Sequence, residues 1–356
     1  MKANKVNSRI IHIAAILLSL VLIVYTMVRA YAILLPIAWA VFIALMILPA
    51  IRWLEAKKVP RAIAIVIALV LVTIILSAVI YALSLQVAGL LADAPTVTDK
   101  LDGWLTGLQV FLNKNFGVSP EMFSQQLFTS LSGMLQAGLR QLRNSLVSVF
   151  HTLTLISLIP LYVFFLLYYR NSFYEGTLRS FKNHQQQASP LIIQLSKVVQ
   201  QYLNGLIIVT FIIGVLFYIV LILLGIKFAF FFAVLLAIFN LIPYIGVIVS
   251  SVIVILYAFA TTNSLIYPFA VLVLLWLIQL LENYLITPYV IGSRIKVNPM
   301  ATLIAIFAGA KIWGVSGMIL FIPMVGALKV IADEFEPLNP LAIFLGTSRE
   351  YKKDSD

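Results

Sequence analysis

The chain has 356 residues, 62% of them hydrophobic and 10% charged, with a mean hydropathy of +1.07, which is more apolar surface than a protein core can hide and excludes a soluble globular enzyme. The absence of cysteine excludes disulfides, thiolate zinc sites and thiol chemistry, and His12, His151 and His184 lie too far apart in sequence to suggest a metal site. The 24 basic against 13 acidic residues fall in short clusters between apolar runs, as membrane orientation signals do, so nucleic acid is not an expected partner.

The first apolar run, Ile10 to Val28, follows Lys2, Lys5 and Arg9 and precedes Ala30-Tyr31-Ala32, which superficially resembles a signal-peptidase site. Its 19 residues exceed the usual signal-peptide core of roughly 7–15, and a second apolar run, Tyr31 to Ile51, follows at once, so it reads as a retained span. Arg52, Lys57, Lys58 and Arg61, opposed by Glu55, separate that run from a third, Ala62 to Leu91. Positive clusters mark cytoplasmic loops, which puts the amino terminus and the 52–61 loop inside with a helical hairpin between them.

Residues 93–147 carry no net charge, with Asp93, Asp99, Asp102 and Glu121 balanced by Lys100, Lys114, Arg140 and Arg143, and are the expected extracytoplasmic segment. Leu101, Trp104, Leu105, Leu108, Phe111 and Leu112 recur at helical spacing over 99–115. Ser119-Pro120 then supplies an N-cap and a first-turn proline for a helix striped by Phe123, Leu127, Leu131 and Met134. Continued into a fourth span at Leu146 to Tyr169, that helix would be about 70 Å long and would project from a bilayer core of about 30 Å. Its stripe needs cover, from the 99–115 helix, from neighbouring subunits or from the membrane surface itself.

Arg170, Arg179, Lys182 and Lys197 against Glu175 return residues 170–204 to the cytoplasm. From Ser189-Pro190 through Ile193, Val198 and Tyr202 an amphipathic helix feeds the next span, Gly205 to Leu224, and Gly225-Ile226-Lys227 makes a tight turn beyond it.

Residues 228–260 are interrupted by Asn240-Leu241-Ile242-Pro243-Tyr244-Ile245-Gly246, which is either a proline kink or a reversal into a re-entrant hairpin. Broken backbone at membrane depth persists where protein or a watery cavity satisfies it, and its freed groups can bind a polar substrate or ion. The basic pair Arg294 and Lys296 after the run Leu265 to Pro288 favours the hairpin, because a single crossing at 228–260 would place that pair outside. Within Met300 to Ile331 a second break, Gly309-Ala310-Lys311-Ile312-Trp313-Gly314-Val315-Ser316-Gly317, precedes Arg349, Lys352 and Lys353, and a hairpin entering from inside returns the tail to the cytoplasm. A span plus a broken hairpin from each side is the pattern of an inverted repeat around a midplane site.

Glu282 lies some six residues from the end of its span, too deep for a short side chain to reach water easily, and intramembrane carboxylates are functional candidates by default. Gln279 shares its helix face, while Asn283 is displaced around the helix. The competing reading is a structural carboxylate, paired with Lys311 or capping a broken helix. Lys227 and Lys329 are expected to snorkel to the interface, and Asp333, Glu334 and Glu336 to occupy a solvated face. No zinc-protease helix, nucleotide-binding loop, dinucleotide fingerprint or serine elbow is present, so an enzyme is not expected and primary transport by this chain alone is excluded.

The string Phe239 to Gly246, the stretch Gln279 to Pro288 with Glu282-Asn283, Val297-Asn298-Pro299, and Gly309 to Gly317 resemble the signature of the autoinducer-2 exporter (AI-2E) family of bacterial permeases. The likeness runs from the first span to about Asp333 and is most specific across 195–330. It implies a transporter of the bacterial cytoplasmic membrane with about eight membrane helices, assembling as a homo-oligomer; with the breaks and charge placement above, the expected fold is an all-α polytopic protein, two of its helices broken or re-entrant and both termini cytoplasmic. It also implies a divided family, some members associated with autoinducer-2 export and others with sodium or lithium exchange for protons.

The expected organisation is a scaffold of spans over 1–92, an extracytoplasmic helical segment over 93–147, a fourth span and cytoplasmic helix over 148–204, a transport region over 205–335 and a tail over 336–356. The candidate binding residues for substrate or ion are Asn240, Pro243, Tyr244, Gly246, Gln279, Glu282, Asn283, Asn298, Pro299, Gly309, Lys311, Gly314 and Gly317. The expected partners are a small polar molecule such as autoinducer-2, membrane lipid and a coupling proton or sodium ion, with no cofactor. The alternatives are a monovalent cation/proton antiporter and a non-transporting membrane scaffold.

Overall fold

The computed structural model describes residues 2–116, 133, 158–180, 185–242, 245–262, 264, 266–290 and 297–346. Every regular element among them is helical: α1 (Lys2–Arg29), α2 (Tyr31–Ala56), α3 (Arg61–Phe116), α4 (Leu158–Tyr168), α5 (Arg170–Ser180), α6 (Gln185–Leu223), α7 (Ala229–Phe239), α8 (Ile245–Thr261), α9 (Ile266–Leu281), a π-helical turn (Glu282–Ile286), α10 (Thr287–Val290), α11 (Pro299–Glu334) and, after a 3₁₀ turn, α12 (Asn339–Leu345). Five helical stretches are long and apolar enough to cross a membrane: Tyr31–Ala56, Arg61–Leu90, Ala188–Leu223, Ile266–Val290 and Pro299–Glu334. Their outward apolar side chains, such as Leu71, Ile74 and Phe211, are more than half exposed, as a lipid-facing surface requires.

The second apolar run follows the first at once, as the sequence reading has it: the single residue Ala30 separates α1 from α2, with helical hydrogen bonds closing on both sides of it, Ala30 N–H to Thr26 O and Leu34 N–H to Ala30 O. One boundary differs. The helix expected at 99–115 is the continuation of α3, which passes through Asp93 and Pro95 without ending. One proline removes one ladder bond, and the turns on either side carry the helix across. Residues 93–116 therefore extend α3 by about 36 Å beyond its apolar part. The striped helix expected from Ser119 lies outside the described residues except at Gly133.

The chain divides into two compact units. The first comprises Met1–Ala68, Thr154–Leu203 and Ser293–Asp356. Its core gathers Phe42, Val199, Leu203, Trp313 and Leu320, and the Trp313 indole N–H donates to Met27 O at 3.0 Å, tying α11 to the end of α1. At the basic end of α2, Glu55 is shared by Arg170 and by Arg61 at 3.4 Å, and Arg61 also donates to Tyr168 O at 3.2 Å. This joins the start of α3 to the α4–α5 junction and brings the two basic loops to one end of the unit. Lys329, expected to snorkel, is instead 4% exposed and grips both oxygens of Asp333 one turn on, at 2.7 and 3.0 Å. Asp333 is thereby tied to a buried cation on its own helix.

The second unit comprises Leu69–Leu153 and Asn204–Gly292, with a core around Phe217, Phe232, Leu236, Val254 and Val271. Gly225 at φ +70° makes the expected tight turn after α6. Phe228, the residue before α7, cannot cap that helix with its side chain, and Gln86 of α3 does so, its Oε1 accepting from Phe231 N–H at 3.0 Å. Helices α7 and α8, with 11 and 17 residues, are about 17 and 26 Å long, each short of a bilayer core of about 30 Å. They pack against each other, and α8 in turn against α9.

Candidate functional site

The polar residues of the second unit converge on Glu282. This carboxylate is 8% exposed and is the one buried acidic side chain among the described residues. Its Oε1 accepts from Asn240 Nδ2 at 2.7 Å and its Oε2 from Gln279 Nε2 at 2.9 Å, so each oxygen has an amide donor. Asn240 holds that position because it is the residue at which α7 ends. The break in one membrane helix thus supplies the ligand to the acid on another. Gln279 reaches Glu282 from one helical turn earlier and also donates, at 3.4 Å, to Asn283, which is exposed. Its own carbonyl Oε1 is buried without a hydrogen-bond partner among the described residues.

Glu282 begins the π-helical turn, in which Thr287 N–H bonds Glu282 O five residues back. Single π-turns inside α-helices widen the backbone locally and concentrate at functional sites. Gly246, on the far side of the first break, is buried, and a Cβ there would overlap the Phe239 carbonyl, so only glycine allows the two helices to close around the reversal. Pro243 and Tyr244 lie outside the described residues. Ser250 is fully buried, and its hydroxyl is satisfied by donating to Gly246 O, one turn earlier on α8, at 2.8 Å.

The remaining candidates belong to the first unit. Asn298 N-caps α11, accepting from Ala301 N–H at 2.8 Å, with Pro299 in the first helical position. Its amide also donates to Phe344 O at 2.6 Å and Gly346 O at 3.1 Å, which clasps α12 against the start of α11. Further along α11 the backbone leaves helical geometry at Trp313 (φ −129°, ψ 18°) and Gly314 (φ +60°, ψ −141°). Gly309 and Gly317 would be about 12 Å apart along a straight helix, yet a Cβ on either would overlap the other's backbone. The chain therefore reverses at Trp313-Gly314, and both arms meet through bare glycine. Lys311 is exposed, and no ion pair among the described residues includes it. The partners of Glu282 are amides rather than that lysine.

Sequence reasoning missed Gln86, whose signal was a lone amide in an otherwise apolar run, and the π-turn, which has no residue signature.

Long apolar helices, two reversed helical pairs and a buried carboxylate held by amides define a polytopic protein of the transporter class. The chain belongs to the AI-2E family: the model described as "AI-2E family transporter" matches residues 13–336. Among curated proteins it is 23% identical over 319 residues to "Putative transport protein YrrI" of Bacillus subtilis, covering 84% of this chain and 86% of that one. It is 26% identical over 343 residues to "Putative transport protein YhhT" of Escherichia coli K12, covering 95% of each. A third relative, "Putative transport protein YueF" of Bacillus subtilis, is 24% identical over 303 residues, covering 79% of this chain and 78% of that one.

Proposed function

We propose that the protein is a secondary transporter or facilitative exporter of a small polar signalling molecule, autoinducer-2 by family likeness, working by alternating access in a bacterial cytoplasmic membrane with both termini inside. The observation that supports this is the Asn240–Glu282 hydrogen bond, which makes the break at the end of α7 and the carboxylate of the α9 span one polar cluster. A hydroxyl-rich substrate entering there would exchange hydrogen bonds with the Glu282 carboxylate, the Asn240 amide and the unsatisfied Gln279 carbonyl. When the substrate leaves, the Glu282 carboxylate can re-form its bonds to Asn240 and Gln279, while the Gln279 carbonyl gains a partner only in the loaded site. The reversal at Gly246, next to the cluster in the same unit, would be the element whose movement exposes it to one side and then the other.

The second reading is a monovalent cation/proton antiporter in which Glu282 alternates between cation and proton. What favours it is the juxtaposition of the Glu282 carboxylate with the orphan Gln279 Oε1, two oxygens of the kind a hard cation takes as ligands.

Flux into proteoliposomes separates the two. With purified protein and an imposed pH gradient, the exporter moves autoinducer-2 without sodium-linked proton movement, and Glu282→Gln lowers that flux at least tenfold. Sodium-dependent proton flux abolished by the same substitution would replace the exporter reading with the antiporter.

A further inference from the structure

In the first compact unit, α2, α4, α5 and α6 enclose a cavity of about 980 Å³ whose lining changes character from end to end. Along α2 the wall is apolar through Val41, Ala44, Leu45 and Leu48, and then reaches Arg52, a rise of about 16 Å from Val41. Arg170 at the start of α5 and Lys197 on α6 complete a cationic lining, against which stands one acid, Glu175. Glu175 is exposed and sits 3.9 Å from Arg179, so it leaves most of the positive charge uncompensated. Arg170 is committed on one side only. Its Nη2 is held by Glu55, which Arg61 also shares, while its Nη1 is buried with no hydrogen-bond partner among the described residues.

Arg52 and Lys197, both exposed and in no ion pair among the described residues, leave two cationic ends on the cavity lining, and phosphate oxygens suit guanidinium and ammonium donors. A small anion would leave the Val41–Leu48 wall wet, and a neutral lipid would leave Arg52 and Lys197 unanswered. One kind of molecule satisfies both ends. We infer that this cavity binds an anionic phospholipid from the leaflet on the side of the 52–61 loop, with its phosphate among Arg52, Arg170 and Lys197 and an acyl chain along the apolar wall of α2. Basic pockets between membrane helices take such headgroups, because a cation at the rim of low-dielectric hydrocarbon attracts phosphate more strongly than one in water. The lipid would add to the contacts that already join α2 to α5, through Glu55 and Arg170, and to α6, through Phe42, Val199 and Leu203.

The test is native mass spectrometry of the full-length protein after lipid depletion, titrated with phosphatidylglycerol, with phosphatidylcholine of the same chains, and with inorganic phosphate. Phosphatidylglycerol is expected to be retained at least tenfold better than phosphatidylcholine. The double substitution Arg52→Gln with Lys197→Gln should remove that preference, whereas Arg52→Lys with Lys197→Arg keeps it. Lys57→Gln with Lys58→Gln, which takes the same charge from the loop outside the cavity, should leave it unchanged. Equal retention of the two lipids, or equal losses from both glutamine pairs, would overturn the site and leave only a charged surface. Displacement of the lipid by millimolar inorganic phosphate would overturn the lipid in favour of a soluble phosphate compound. If the Arg52/Lys197 glutamine pair does not fold, the wild-type preference and its indifference to the Lys57/Lys58 pair decide.

Discussion

Glu282 illustrates how a costly side chain is made tolerable. Burying a carboxylate is unfavourable until its oxygens find donors, and here two neutral amides provide one each, at 2.7 and 2.9 Å. Neutral donors satisfy the acid's oxygens without pairing it with a cation. Asn240→Ala removes one donor and leaves a buried oxygen unsatisfied, which is expected to cost about 1–3 kcal/mol and appears as a lower melting temperature of the detergent-solubilised protein. An unchanged melt would mean that water or another group already serves that oxygen. Glu282 and Gln279 were legible in the sequence because an acid deep in an apolar span is rare and its neighbour on the same face follows from helix geometry. The bond to Asn240 spans 42 positions and depends on where α7 stops, which no local pattern specifies. Asn298 was legible as part of a motif but not as a clasp, since its amide partners belong to α12, more than 40 residues further on.

At the scale of elements, the reversal in α11 rests on three glycines that do different work. Gly314 supplies a backbone conformation with φ +60° that side chains disfavour, and it faces open space. Gly309 and Gly317 supply clearance, since what a Cβ would meet there is backbone that cannot rotate away. Gly314→Ala should therefore cost about 1–3 kcal/mol through strain alone. Gly317→Ala should cost at least as much by forcing the arms apart, and should also lower transport. Gly176→Ala, on α5 with nothing near its Cβ, is the matched control and should be neutral or stabilising by up to about 1 kcal/mol. Melting curves of the three variants in one detergent check the order. The glycine and proline breaks were visible in the sequence because those residues interrupt helices for known steric reasons. The uninterrupted α3 was not, because Asp93 and Pro95 look like a helix end and the surrounding turns outweigh one missing bond.

At the scale of the molecule, composition and charge placement carried the class, since a mean hydropathy of +1.07 leaves lipid as the only adequate cover. The loop after α2 and the segment after α4 were assigned to one side of the membrane from lysine and arginine alone, and the sharing of Glu55 by Arg61 and Arg170 brings them to one end of their unit. Lys57→Cys and Arg179→Cys, each placed in this naturally cysteine-free chain, should therefore react with a membrane-impermeant maleimide alike, and only after the cells are permeabilised. Labelling of one from outside and not the other would break the assignment. The meeting of Gly309 with Gly317 reaches beyond its own helix. Where two arms touch main chain to main chain, no rotamer can flip to let one slide past the other, so the reversed pair has no internal play. It behaves as a single wedge, and any stroke it makes must be taken up at its ends, in the Asn298 clasp and in the short turn Glu336–Leu338 that leads into α12.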